Sequence, residues 1–296
     1  MDFEEFIWAM NDDITLDIIK EHYHKLKPLG KINKDIMKSF REYLLVGGMP
    51  QAVVEYVTSK DFGKVDFVKQ NILNLYENDI ETQDEENPTY VKNVFLHIPS
   101  ELSKHDKQFV LSHIDGARRR EYKGPVRWLN EAMVVNIAEN VSDPSVAFNL
   151  STTDVAFKCY MGDTGLLVSL AYKNKDYLEN ELYEAILFDK LHINEGMIIE
   201  NVVSQLLKAN GHNIYYYKKT DKELKTTVME IDFLIRHNNK VCPVEVKSTN
   251  NYTISSLTKF KNMFNKKIGT LYVLHNGDIK VEDNITYLPY YMAFCL

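Results

Sequence analysis

Two runs of β-branched and apolar residues, Val228 to Ile235 and Lys240 to Val246, flank Arg236-His237-Asn238-Asn239. Paired asparagines accept the positive φ angles of a tight turn, so the stretch reads as a β-hairpin. This constrains the fold more than any other feature, because it commits some twenty residues to neighbouring antiparallel strands of one sheet. Side chains alternate along a strand. Ile231, Phe233 and Ile235 are therefore expected on one face and Asp232 on the other, while Val244 and Val246 oppose Glu245 and Lys247. One acid and one acid–lysine pair would share a face.

Glu245 and Lys247, two positions apart on a strand, have Cα atoms roughly 6–7 Å apart and can address one ligand. Two carboxylates offer hard oxygen ligands to Mg²⁺ or Mn²⁺, and a lysine beside them can hold a phosphate oxygen or favour a metal-bound hydroxide. The same residues would also suit the charged solvent face of a half-exposed sheet, and the hairpin alone does not choose. Upstream, Gly196 to Ala209 places Ile198, Ile199, Val202, Val203, Leu206 and Leu207 at helical spacing, and Gly211 ends the helix. Glu200 lies off its most apolar stripe, and Asn213 to Lys218 reads as a strand. This order, a helix with Glu, a strand, a strand with Asp and a strand with Glu-x-Lys, resembles the PD-(D/E)XK nuclease core.

More specifically, Gly-Met-Ile-Ile-Glu-Asn at 196–201, Glu-Ile-Asp-Phe-Leu at 230–234 and Val-Glu-Val-Lys-Ser at 244–248 resemble the C-terminal region of a large prokaryotic family of AAA+ type ATPases. Residues 157–167 and 43–53 fit the same resemblance, which thus spans most of the chain. It implies a nuclease-like fold in which Asp232 and Glu245 bind Mg²⁺ or Mn²⁺. The carbonyl of Val246 would join the shell, with Glu200 as a further candidate, and Lys247 would assist the attacking water. Asp232, Glu245 and Lys247 are then the catalytic candidates. The first ten residues resemble the segment that follows the last strand of the ATPase domain, so an ATPase domain is an expected partner. No Gly-x-x-x-x-Gly-Lys-Ser/Thr loop occurs in the sequence, and P-loop binding of ATP by this chain is not expected.

The formal net charge of −7 disfavours nucleic acid only on the surface of the argument. Residues 1–98 hold 11 Lys/Arg against 18 Asp/Glu, whereas residues 208–280 hold 13 against 6. The half with the candidate site is basic, as a phosphate-binding face should be. No apolar run approaches the about 18 residues of a membrane span, and the amino terminus lacks a signal pattern. A cytoplasmic protein without a membrane partner is expected. Cys159, Cys242 and Cys295 are far apart, which excludes a disulfide framework and a thiolate zinc site.

With 296 residues, the chain is long for one core. Three domains are expected, in an α/β multi-domain fold. Residues 1–88 form a helical segment, with Gly47-Gly48 before Pro50 as a tight helix–helix turn or a hinge; the acidic run from Asp79 to Glu86 reads as a solvated loop. Residues 89–154 suit a winged helix, with a first helix about Val91–Leu102, a second short element about Phe109–Ile114, a third helix about Val126–Met133 and a wing from residues 134–138 and 146–150. Arg118, Arg119, Arg120, Lys123 and Arg127 lead into and along its third helix, where a DNA-binding winged helix meets phosphates. Residues 155–296 form the restriction-endonuclease-like domain on a mixed sheet, including a helix over 178–191, a helix over 255–264, a strand over 269–274 and an edge strand over 285–287. His192, His212, His237 and His275 read as structural or surface residues. Two functions follow: a metal-dependent DNA endonuclease, or a catalytically inactive nuclease-fold module that binds DNA or protein and regulates an ATPase.

Overall fold

The computed structural model describes residues 1–83, 88–109, 123–144, 148, 151–173, 183, 195–221, 223, 226–237, 240–249 and 251–296, without the side chains of 83, 88–90, 123, 125 and 153–156. The chain forms N-terminal helices and a mixed eight-stranded sheet, the α/β architecture expected. It divides into two compact units, neither of them one continuous stretch. Residues 1–13, 38–137 and 159–205 make the first, and residues 14–37, 138–158 and 206–296 the second. The three domains expected from sequence were continuous.

The first unit is built on helices α1 (Phe3–Ala9), α4 (Pro50–Ser59), α5 (Phe62–Gln83), α6 (Pro88–Leu102), α7 (Lys123–Glu131) and α8 (Thr164–Tyr172), with most of α3 (Ile32–Val46) and α9 (Glu195–Ala209). Asp2 and Glu5 close a capping box at the start of α1. This sets Phe3 and Phe6 against Tyr43, with ring centroids 5.6 and 5.4 Å apart. Gly47 ends α3 with φ +80°, and Pro50 opens α4, so Gly47-Gly48 is a tight turn. Helix α5 absorbs the first part of the acidic run through Gln83, because Lys92 on α6 pairs with Glu77 and Glu81 at 3.3 and 2.6 Å. Residues 84–87 lie outside the described residues, as does the helix expected over 178–191 apart from helical Tyr183.

The second unit holds α2 (Asp13–Lys25) from Ile14 on and the strands β3 (Tyr215–Thr220), β4 (Thr227–His237), β5 (Lys240–Lys247), β6 (Leu271–His275), β7 (Lys280–Glu282) and β8 (Ile285–Pro289). Helix α10 (Ser255–Phe264) and a 3-10 helix, Tyr290–Cys295, complete it. With β1 (Val135–Val141) and β2 (Thr152–Met161) the sheet order is β2-β1-β3-β4-β5-β6-β8-β7. β4 and β5 pair antiparallel as the hairpin predicts, and β5 and β6 pair parallel across the α10 crossover. β8 lies inside the sheet between β6 and β7, so the edge expected at 285–287 belongs to β7. Leu257 and Phe260 of α10 close a core with Ile231, Leu234, Val273 and Tyr287.

The region expected as a winged helix contributes α6, α7 and β1; its short second element lies outside the described residues beyond Phe109. The run 134–138 expected as the first wing strand lies largely in β1, which pairs parallel with β3, Glu139 opposite Tyr215, and so joins the main sheet. The second run, 146–150, lies outside the described residues except for Phe148, whose ring sits 4.6 Å from that of Tyr215. Five elements cross the division between units: α2 after Asp13, α3 after Met37, β1 after Ile137, β2 after Lys158 and α9 after Gln205.

Candidate functional site

The hairpin register runs from His237 opposite Lys240 to Phe233 opposite Val244, and Asp232 and Glu245 are the next residues of β4 and β5, near enough for the charge of one to act on the other. On its other side β4 pairs Leu234 with Tyr215 but Ile231 with Tyr217. Two residues of β4, Asp232 and Phe233, thus stand against Tyr216 alone, which is a β-bulge. Strict alternation fails at that point. Ile231 and Leu234, three positions apart, join the same core beneath α10, which the sequence pattern did not foresee. The bulge turns Asp232 across to β5, where its Oδ2 accepts the Val246 N–H at 2.8 Å.

Glu245 is 6% exposed. Its Oε1 receives Lys247 Nζ at 2.7 Å, while its Oε2 is buried with no hydrogen-bond partner. Burial, reinforced by the charge of Asp232, pushes the Glu245 carboxyl up to about 8. Burial also works against the Lys247 ammonium, but Glu245 and Asp232 outweigh it and raise its pKa. Tyr290 holds the strand end, its hydroxyl donating to the Lys247 carbonyl at 2.5 Å.

A second lysine, not anticipated from sequence, joins the cluster. Lys158 on β2 is 1% exposed, with Nζ 2.9 Å from Glu230 Oε1 and 3.8 Å from Asp232 Oδ1. Its Nζ also lies 5.2 Å from the Tyr216 ring centroid. Lys218 approaches the other Glu230 oxygen at 3.9 Å. The signal was present: Lys158 sits between Phe157 and Cys159 in a strand-like run, an unusual place for a lysine unless it is paired.

His275 stands in register with Lys247 on the neighbouring strand. Its Nε2 lies 3.1 Å from the Asp278 carbonyl and its Nδ1 3.2 Å from the Tyr252 hydroxyl. A carbonyl only accepts, so Nε2 carries the proton and Nδ1 accepts from Tyr252. Burial lowers the His275 pKa and favours this neutral ring. The ring is structural, as sequence suggested, yet it borders the candidate site.

Glu200 belongs to the first unit. Its Oε1 accepts from the Tyr160 hydroxyl at 2.6 Å and its Oε2 pairs with Lys107. The polar stripe of α9 is buried rather than solvent-facing: Asn201 Oδ1 accepts from Met161 N–H at 2.8 Å and Gln205 Oε1 from Thr164 N–H at 2.9 Å. Among the described residues, no group of three or more His, Cys, Asp or Glu side chains is placed to hold a metal ion. What the hairpin offers is the pair Asp232 and Glu245 beside Val246. Of the basic residues proposed for nucleic acid, Arg118, Arg119 and Arg120 lie outside the described residues, and Lys123 opens α7 without a described side chain. Arg127 is exposed and pairs through Nε with Glu131, one helical turn on, at 2.7 Å.

Two regions of the chain match known domains. Residues 37–177 match a domain of unknown function, DUF8612, and residues 195–292 match another, DUF4143. The second is commonly a C-terminal region of AAA-ATPase-associated proteins. No curated protein and no solved structure matches the chain. Among the described residues no helix is long and apolar enough to cross a membrane.

Proposed function

We propose that the β4–β5 cluster is a nuclease-type centre that hydrolyses phosphodiester bonds with a divalent cation. The observation that carries this reading is the buried, unpartnered Oε2 of Glu245 beside Asp232 and Lys247. A buried carboxylate oxygen without a donor is costly, and a hard cation would relieve that cost. Asp232 and Glu245, with the Val246 carbonyl, would hold Mg²⁺ or Mn²⁺, which when bound supplies Lewis acidity and charge neutralisation at the phosphate.

The chain's own residues would do the rest. The Val246 N–H fixes Oδ2 of Asp232, and Lys158 Nζ lies 3.8 Å from its Oδ1. Lys247, anchored by Tyr290 through its carbonyl and by Glu245 through its ammonium, would steady the negative charge that grows on the phosphate as the attacking water adds. The excess of lysine over acid in residues 208–280 supports a nucleic-acid substrate, and we assign DNA contacts to Arg118, Arg119, Arg120, Lys123 and Arg127 on charge and sequence position. An ATPase is the proposed partner, on the occurrence of the second matched domain with AAA-type proteins.

One observation favours a second reading, an inactive nuclease-fold module that regulates an ATPase: Glu230, Asp232 and Glu245 already have lysines beside them. Incubation of supercoiled, linear and single-stranded DNA with Mg²⁺ or Mn²⁺ separates the two. Cleavage by the parent that falls about 100-fold or more in both Asp232→Ala and Lys247→Ala is the expected result. No cleavage of any substrate, with DNA binding indifferent to both substitutions, would leave the regulatory module.

A further inference from the structure

Lysines keep their ammonium in water by snorkelling, and a fully buried one needs charged or aromatic company. Lys158 has both: Glu230 within hydrogen-bond distance, Asp232 just beyond it, and the face of Tyr216. All of these partners sit around the β4 bulge that aims Asp232 at β5. The two distances differ in kind. At 2.9 Å Lys158 is bonded to Glu230, whereas at 3.8 Å it only attracts Asp232.

We infer that Lys158 is a resident cation of the carboxylate cluster, parked on Glu230, whose ammonium shares Asp232 with any divalent ion and thereby sets how tightly that ion is held. The inference rests on the cation-dependent reading of Asp232 and Glu245 given above. Glu245 has Lys247 on one oxygen and no hydrogen-bond partner on the other. Asp232 has the Val246 N–H on one oxygen and Lys158 3.8 Å from the other, so Asp232 Oδ1 is the atom at which a protein ammonium and a divalent ion would meet. Like charges sharing one carboxylate weaken each other's binding. Glu230 moderates the conflict, because the bond to it holds Lys158 back from Asp232, while Lys218, 3.9 Å from its other oxygen, only adds attraction. The cluster would therefore bind its ion more weakly than two adjacent carboxylates alone would, and Glu230 and Lys158 tune it in opposite directions.

The opposite signs make the test. Mn²⁺ binding to the full chain is measured by calorimetric titration for the parent, Lys158→Met, Glu230→Gln and Asp232→Asn. Lys158→Met should bind Mn²⁺ about tenfold tighter or more. Glu230→Gln, which releases Lys158 toward Asp232, should bind it more weakly than the parent, and Asp232→Asn should abolish the binding. If Lys158→Met is too unstable for titration, its melting temperature should rise more on adding Mn²⁺ than the parent's does, since the ion takes over the lost charge. Parent binding that Asp232→Asn abolishes, but that Lys158→Met and Glu230→Gln leave unchanged, would overturn the role of Lys158 while keeping the cation site. No Mn²⁺ binding by the parent or any variant would overturn both.

Discussion

At the scale of single residues, the chain buries charge in both units and resolves it differently in each. In the first unit Lys69 is 0% exposed, donating to the Leu45 carbonyl at 2.6 Å and the Gly165 carbonyl at 3.3 Å. Burial pulls its pKa down to about 8, and Asp66 and Asp163 only partly oppose this. An unfolded lysine titrates near about 10.4. Between those values the unfolded chain holds a proton that the folded chain has released, so this residue makes stability rise as pH climbs from about 8 toward 10. Below about 8 both states are protonated and that gain is absent. Urea unfolding at stepped pH should show the rise in the parent, on the order of 3 kcal/mol in full, and a flatter profile in Lys69→Met. Parallel profiles would mean that Lys69 does not titrate in this window. Sequence gave no hint of Lys69, because a lysine on a helix is ordinarily solvated and its burial depends on carbonyls far along the chain. Asp232, Glu245 and Lys247 were legible because their chemistry and their strand spacing are both local. Lys158 carried a local signal of burial, but its meeting with Glu230 and Asp232 was not legible, since sheet order and the bulge set it.

At the scale of elements, two glycines with positive φ separate backbone strain from steric contact. Gly30 has φ +67° and open space where a side chain would begin. Gly47 has φ +80°, and a Cβ there would collide with Asp163 Oδ1 and come within 3.0 Å of the Gly165 Cα. Asp163 is the N-cap of α8, its Oδ1 accepting from Leu166 N–H at 2.9 Å and its Oδ2 from Gly48 N–H at 2.5 Å. One carboxylate thus joins the end of α3 to the start of α8. Gly30→Ala should cost about 1–2 kcal/mol, the left-handed penalty alone, and Gly47→Ala about 2 kcal/mol more for the displaced cap. Chemical denaturation compares them directly, and equal losses would remove the cap from the account. The hairpin, α9, α10 and the β5–β6 pair could be read from periodicity because each carries its own apolar pattern. The bulge could not, since it shows only in the register of β4 against β3. Nor could the place of β1, whose partner strand lies some 75 residues further along.

At the scale of the whole molecule, the second unit takes residues from three separate stretches. Val141 and Phe148 belong to the core that Tyr215, Ile231 and Phe260 build. A fragment of residues 195–296, the natural choice from the domain match at 195–292, would lack α2, β1 and β2. It should show little cooperative unfolding, whereas the full chain should show it clearly. A sharp thermal transition in the fragment, with dispersed amide resonances, would mean that β3 to β8 and α10 suffice. Five elements cross between the units, and this bears on inheritance as much as on folding. A recombination event that cuts between residues 177 and 195 would respect both matched segments and still part β1 from β3, the strand it joins. Such a chain can change by substitution within each segment, but the segments are bound to travel and diversify together.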